Sequence, residues 1–128
     1  MKGKKILTIL LAMLMLMSTV LTGCSGGASN DLLAQIKERG EIIIAMEGTW
    51  APWTYHDEND QLVGYDVEVA QLIAEKLGVK ATFVEGEWDG LLAGLDSKRY
   101  DILVNGVDIT ESRQEKYDFT TPYAYNHT

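Results

Sequence analysis

"DVEVAQLIAEKLGVKATFV" (Asp66 to Val84) joins two periodicities across one glycine. Before Gly78, Val67, Val69, Ala70, Ile73, Ala74 and Leu77 recur at helical spacing, and Asp66 is placed to cap the helix. Gly78 suits the left-handed residue that ends a helix. After it, "VKATFV" (Val79 to Val84) reads as a strand. A helix running directly into a strand is half of a βαβ unit, and the flanking segments supply the rest. Upstream, "EIIIAM" (Glu41 to Met46) is a continuous β-branched run, the mark of a strand covered on both faces. Between it and the helix, "WTYHDENDQLVGY" (Trp53 to Tyr65) predicts a hairpin of two short arms around a polar turn. Downstream, "WDGLLAGLDSKR" (Trp88 to Arg99) predicts a short helix with Leu91, Leu92 and Leu95 inward, and "YDILVN" (Tyr100 to Asn105) a third buried strand. Thr110 can cap a last helix reaching about Lys116, while Asn30 or Asp31 can cap a first one carrying Leu32, Leu33 and Ile36 and ending at Gly40. Strand, helix, strand, helix, strand predicts an α/β fold with a parallel-rich sheet, right-handed crossovers and helices on both faces.

Ligands of such sheets sit beyond the carboxyl ends of the strands. Three loops meet there: Glu47 to Trp53, Gly86 to Trp88, and Asn105 to Asp108. Trp50 and Trp88 are candidate ligand walls, because flat rings supply contact area at little entropic cost. Trp53, following Pro52, is as readily a satellite of the core. Glu47 leaves a buried strand just before Gly48, which aims its carboxylate at the cleft mouth, and Asp108 is a second acid on the same rim beyond Gly106. Arg113 falls at about the third position of the last helix, where a cation opposes the helix dipole. A bound carboxylate, received by its guanidinium fork and by main-chain N–H groups, would offset that cost; a salt bridge to Glu111, Glu115 or Asp118 is the alternative. His56 and His127 lack metal-ligand spacing and read as surface residues, and no serine has a basic partner for nucleophilic catalysis.

The amino-terminal segment differs in kind. "MKGKK" followed by the 16-residue, largely apolar run Ile6 to Leu21 has the form of an export signal, and is short for a membrane-spanning helix. Residues 1–23 are therefore read as a signal peptide. "LTGC" resembles a lipobox, in which Cys24 would be lipidated and become the mature N-terminus, with residues 24–30 as a flexible tether. Removing the three leader lysines from the 11 bases leaves eight against 19 acids, a net charge of −11. That balance argues against a nucleic-acid partner, which needs a basic face. Cys24 is the one cysteine, so an intrachain disulfide and a multi-cysteine metal site are excluded.

"AMEGTWAPWTY", "GYDVEVAQLIAEKLG", "WDGLLAGLDSKRYD" and "TESRQEKYDFTTPY", in this order and spacing, resemble the polar amino-acid-binding proteins of bacterial ABC importers, which have the type II periplasmic-binding fold. The resemblance runs from Asp31 to Tyr125, and "EGTW", "WDGLLAGLDSKR" and "KYDFTTPY" are most similar to the cystine- and cysteine-binding branch. It implies that Arg113 takes the ligand α-carboxylate with the N–H of Asp108, and that the Gly106 carbonyl and the Asp108 side chain take the α-ammonium. It further implies that Trp50 and Trp88 sandwich the ligand side chain while Glu47 reads its polar tip, with Asn105 on the same rim. An acid at position 108, commonly Ser or Thr in the family, would hold the ammonium more strongly or favour an additional cationic group. Members have two lobes, and "TPYAYNHT" lies about where the first hands over to the second, so residues 31–128 are expected to be an incomplete first lobe. The expectation is a monomeric, lipid-anchored, extracytoplasmic binding protein without catalysis or cofactor, partnered by an amino acid and an ABC permease. A sensor domain of a signalling receptor, or a dehydratase or lytic enzyme on the same fold, are the alternatives.

Overall fold

The computed structural model describes residues 31–125. The segments read as signal peptide (1–23) and tether (24–30), with Cys24, and His127 lie outside the described residues.

The first helix, α1 (Leu32–Arg39), starts at Asp31, whose Oδ1 accepts from the N–H of Leu33 at 3.0 Å and of Ala34 at 3.4 Å. Gly40 ends it in the left-handed conformation. The expected apolar face is not shared, since only Ile36 is buried while Leu32 and Leu33 each stay 44% exposed. The helix is tied to the sheet at its last turn, where Arg39 donates to the Glu41 carbonyl and contacts Asp101, so its first turn stands clear.

The main sheet is parallel, in the order β5-β1-β6, from β1 (Glu41–Met46), β5 (Lys80–Glu85) and β6 (Ile102–Leu103). Ile44 pairs with Phe83 on one side and Ile102 on the other, which is why the central run is continuously apolar. Ile42, Ile44 and Met46 pack against α2 (Tyr65–Leu77) through Val67, Ala70 and Ala74. Ala45 on the opposite face meets Leu91 of α3 (Trp88–Asp96) and Tyr100. A second, antiparallel sheet joins β2 (Thr49–Trp50), β3 (Thr54–His56) and β4 (Leu62–Val63). The hairpin is thus present, with an added strand where a loop was expected. A final short helix, α4 (Glu111–Gln114), is capped by Thr110 and stops short of Lys116.

Two further details depart from the sequence reading. The third strand is two residues long: Asp101 and Val104 still donate main-chain bonds to Ile43 and Ala45, but beyond it the β1 N–H groups go to side chains, that of Ile43 to the Asp101 carboxylate at 2.7 Å and that of Glu47 to the Asn105 amide oxygen at 2.9 Å. Asp66 does not cap α2. The helix begins two residues earlier, behind Gly64, and Asp66 is fully buried in its first turn.

Candidate functional site

Parallel pairing brings the carboxyl ends of β1, β5 and β6 to one edge, and a cavity of about 390 Å³ opens there. Glu47, Trp50, Trp88, Asn105, Gly106, Asp108 and Arg113 all line it, together with Thr49. Thr49 was missed because it belongs to β2, an exposed two-residue strand without apolar alternation.

Asn105 fixes the acid at the end of β1. Its amide oxygen accepts from the Glu47 N–H while its Nδ2 donates to Glu47 Oε2 at 2.8 Å. With 2% of its surface exposed, Asn105 serves mainly to hold Glu47. Thr54 adds a hydroxyl that accepts from the Gly48 N–H at 3.1 Å. Gly106 has a φ of 56°, and a Cβ there would lie 2.8 Å from the Trp50 ring. Glycine is what allows Trp50 to lie against the main chain at this turn. Trp53 lies 6.0 Å from Trp50 and edge-on to Tyr65 at 5.6 Å; it does not line this cavity but the neighbouring apolar trough.

Arg113 donates through Nη1 to the Asp108 carbonyl at 2.9 Å, and its guanidinium sits 5.4 Å from the centre of the Trp88 ring, within cation–π range. Among the described residues no carboxylate lies within 4.0 Å of it, so neither Glu111, Glu115 nor Asp118 forms the alternative salt bridge. A half-buried guanidinium held by a carbonyl and an indole keeps donors for an incoming anion. The cavity therefore combines one fork-shaped cation, two acids and two indoles.

His56, read as a surface residue, is exposed but engaged: Nε2 meets Glu85 at 2.9 Å and Nδ1 meets Asp60 at 3.0 Å. The hydrogen bonds to Glu85 and then Asp60 raise its pKa above 6.5. A raised folded-state pKa means that the stabilisation is complete below about pH 6.5 and is lost as pH rises through the folded value. His56→Gln is expected to flatten that pH dependence of the denaturation midpoint between about pH 6 and 8; an unchanged profile would show the contacts to be energetically idle. Among the described residues, no group of three or more His, Cys, Asp or Glu is arranged to hold a metal ion, and no helix is long and apolar enough to cross a membrane.

Residues 42–128 match the family model described as bacterial extracellular solute-binding proteins, family 3. The L-cystine-binding protein TcyJ of Escherichia coli strain K12 is 46% identical over 96 residues, covering 75% of this chain and 36% of that protein. TcyA, the L-cystine-binding protein of Bacillus subtilis, is 44% identical over 125 residues, covering 89% of this chain and 46% of that protein. This chain thus spans less than half the length of either relative. A cyclohexadienyl dehydratase of Pseudomonas aeruginosa is 34% identical, covering 81% of this chain and 39% of that enzyme. The L-cystine solute receptor of Neisseria gonorrhoeae, solved unliganded and open, superposes with a TM-score of 0.69 at 45% identity, over 74% of this chain and 40% of that one. The fold is accordingly that of a type II periplasmic amino-acid-binding protein, present in part. The chain belongs to the bacterial extracellular solute-binding proteins of family 3.

Proposed function

We propose that the protein binds a polar amino acid outside the cytoplasmic membrane and delivers it to an ABC importer, without catalysing a reaction. The observation that carries this is Arg113, a cation free of any carboxylate partner among the described residues, lying over Trp88 in a cavity that Asp108 and Trp50 also line. The ligand α-carboxylate lies on the guanidinium fork and the Asp108 N–H, and the α-ammonium lies between the Gly106 carbonyl and the Asp108 carboxylate. Trp50 and Trp88 flank the side chain, and Glu47, held by Asn105, receives its polar tip. The described residues form one wall of this site; closure of a second lobe over it strengthens the charged contacts by excluding water. The names of TcyJ, TcyA and the gonococcal receptor make cystine the first ligand to test. Anchoring through lipid on Cys24 completes the reading, since two acyl chains hold a protein stably where one is marginal.

Calorimetry of the full-length protein with cystine, cysteine and a panel of polar and cationic amino acids tests this. At least one is expected to bind one-to-one at micromolar strength or better, about −8 kcal/mol. No heat from any of them would sink the reading. The presence of two acids in one cavity keeps a dehydratase reading in view; it requires turnover with a bell-shaped pH profile, which the binding reading does not.

A further inference from the structure

The least comfortable group in the described residues is Asp66. It is completely buried, no Lys, Arg or His pairs with it, and its Oδ2 is the one buried side-chain polar atom among the described residues without a hydrogen-bond partner. A buried carboxylate is costly unless donors surround it, so its retention calls for a physical reason.

Its neighbours supply one. Oδ1 accepts from the Tyr123 hydroxyl at 2.9 Å. Oδ2 faces the turn at Gly106, where an added Cβ would lie 3.8 Å away. The Gly106 main-chain amide is near enough to favour the ionised form of both Asp66 and Tyr123. Oδ1 thus has the phenol O–H as donor, while Oδ2, which makes no hydrogen bond, lies beside the Gly106 turn as an acceptor that an amide NH2 in its place could not supply. Tyr123 is also held from the preceding residue: its ring lies 6.1 Å from that of Tyr65, whose hydroxyl donates to the Tyr123 carbonyl at 3.2 Å. The first turn of α2 is itself pinned, since the N–H groups of Tyr65 and Asp66 donate to the carbonyls of Pro52 and Trp53, each at 3.0 Å.

We infer that Asp66 is a positioning residue for the cavity, its buried carboxylate fixing the Gly106 turn and tying Tyr123, and with it the segment 120–125, to that same turn. The inference rests on the proposed function, in which Gly106 and Asp108 receive the ligand ammonium and Trp50 lies against Gly106. Asp66 lines neither the cavity nor its rim, so it acts through Gly106. It also gives the segment around Tyr123 a mechanical link to the cavity, so that displacing Tyr123 and filling the cavity are coupled. Tyr123 is the titratable group facing Asp66 from that segment, Tyr65 stands beside it on α2, and the turn contributes main-chain groups only. Burial raises the Asp66 pKa, and burial followed by the charge of Asp66 pushes the Tyr123 phenol well above its usual range.

Three measurements on the full-length protein test this. In a ligand-free pH titration by NMR, the Gly106 amide is expected to follow one carboxyl that titrates above the ordinary aspartate range, and to lose that dependence in Asp66→Asn. By difference absorbance, Tyr100 and Tyr117 are expected to ionise somewhat late and one further tyrosine, the highest, well above pH 10 in the wild type. Its ionisation should move down toward pH 10 in Asp66→Asn and vanish in Tyr123→Phe. By calorimetry, Asp66→Asn is expected to bind amino acid at least tenfold more weakly, and Tyr123→Phe less so because the contact at Gly106 survives. A Gly106 amide that follows no such carboxyl in the wild type overturns the inference even if Asp66→Asn does not fold. So does a folded Asp66→Asn with wild-type affinity. The first two readouts need no ligand, so a wild type that binds no amino acid overturns the proposed function and leaves the placement of Asp66 to be judged by the Gly106 and Tyr123 signals.

Discussion

Replacing Arg113 by Lys in the full-length protein is expected to raise the dissociation constant for the amino acid at least about thirtyfold, the loss of roughly 2–5 kcal/mol that follows when one member of a desolvated charge pair is removed. The guanidinium is planar, stacks over Trp88 and spends one of its N–H groups on the Asp108 carbonyl. An ammonium keeps the charge but not the fork, and stacks less well on the indole. The thermal midpoint should move little, because Arg113 forms no ion pair among the described residues. Calorimetry separates the outcomes: a large affinity loss with an intact fold supports the carboxylate clamp, and an unchanged affinity makes Arg113 an ordinary surface charge.

Gly64→Ala is expected to destabilise the protein by about 3–5 kcal/mol, near the top of the range for single substitutions. Gly64 has φ 130° and ψ 172°, a conformation that is essentially closed to residues with a side chain. A Cβ there would lie 2.2 Å from the Trp53 carbonyl oxygen and 2.9 Å from that of Pro52, and neither can move without breaking the bonds that anchor the first turn of α2. That turn carries Asp66, so the same change should loosen the Gly106 turn. Urea denaturation reads the effect; a midpoint within experimental error of the wild type would mean that the backbone here relaxes freely.

What could be read from the residues alone divides along a physical line. Helical spacing from Val67 to Leu77, the glycine at 78 and the β-branched run at Ile42 to Ile44 are local signals, and they placed α2, β5 and β1 with little adjustment. The rim followed from parallel topology, which is why residues as distant in sequence as Glu47, Trp88 and Arg113 surround one cavity. Arg113 stood out because a cation at the third position of a helix has no local justification. Misreadings arose where a partner is remote. Asp66 has the chemistry of an N-cap, and nothing near it in sequence tells of Tyr123, 57 positions on. Asn105 lines the cavity, but nothing near it in sequence tells that its amide is engaged by Glu47, 58 positions back. The third strand was drawn too long because Asp101 and Asn105 end it with side-chain bonds that periodicity cannot register. Leu32 and Leu33 have the spacing of a buried face but lie on a turn that the sheet does not reach.

The central claim is that an amino acid lies across the ends of β1, β5 and β6 with its carboxylate on Arg113. A crystal structure of the full-length protein with its tightest-binding amino acid tests that directly. The account predicts the ligand side chain between Trp50 and Trp88, the carboxylate on the Arg113 guanidinium, and the ammonium between Gly106 and Asp108. A ligand bound away from Arg113 and Trp88, for instance in the adjoining apolar trough of about 440 Å³ that shares Trp50, Gly106 and Asp108 but is otherwise lined by Trp53, Leu92 and Phe119, with Arg113 still on the Asp108 carbonyl alone, would contradict it.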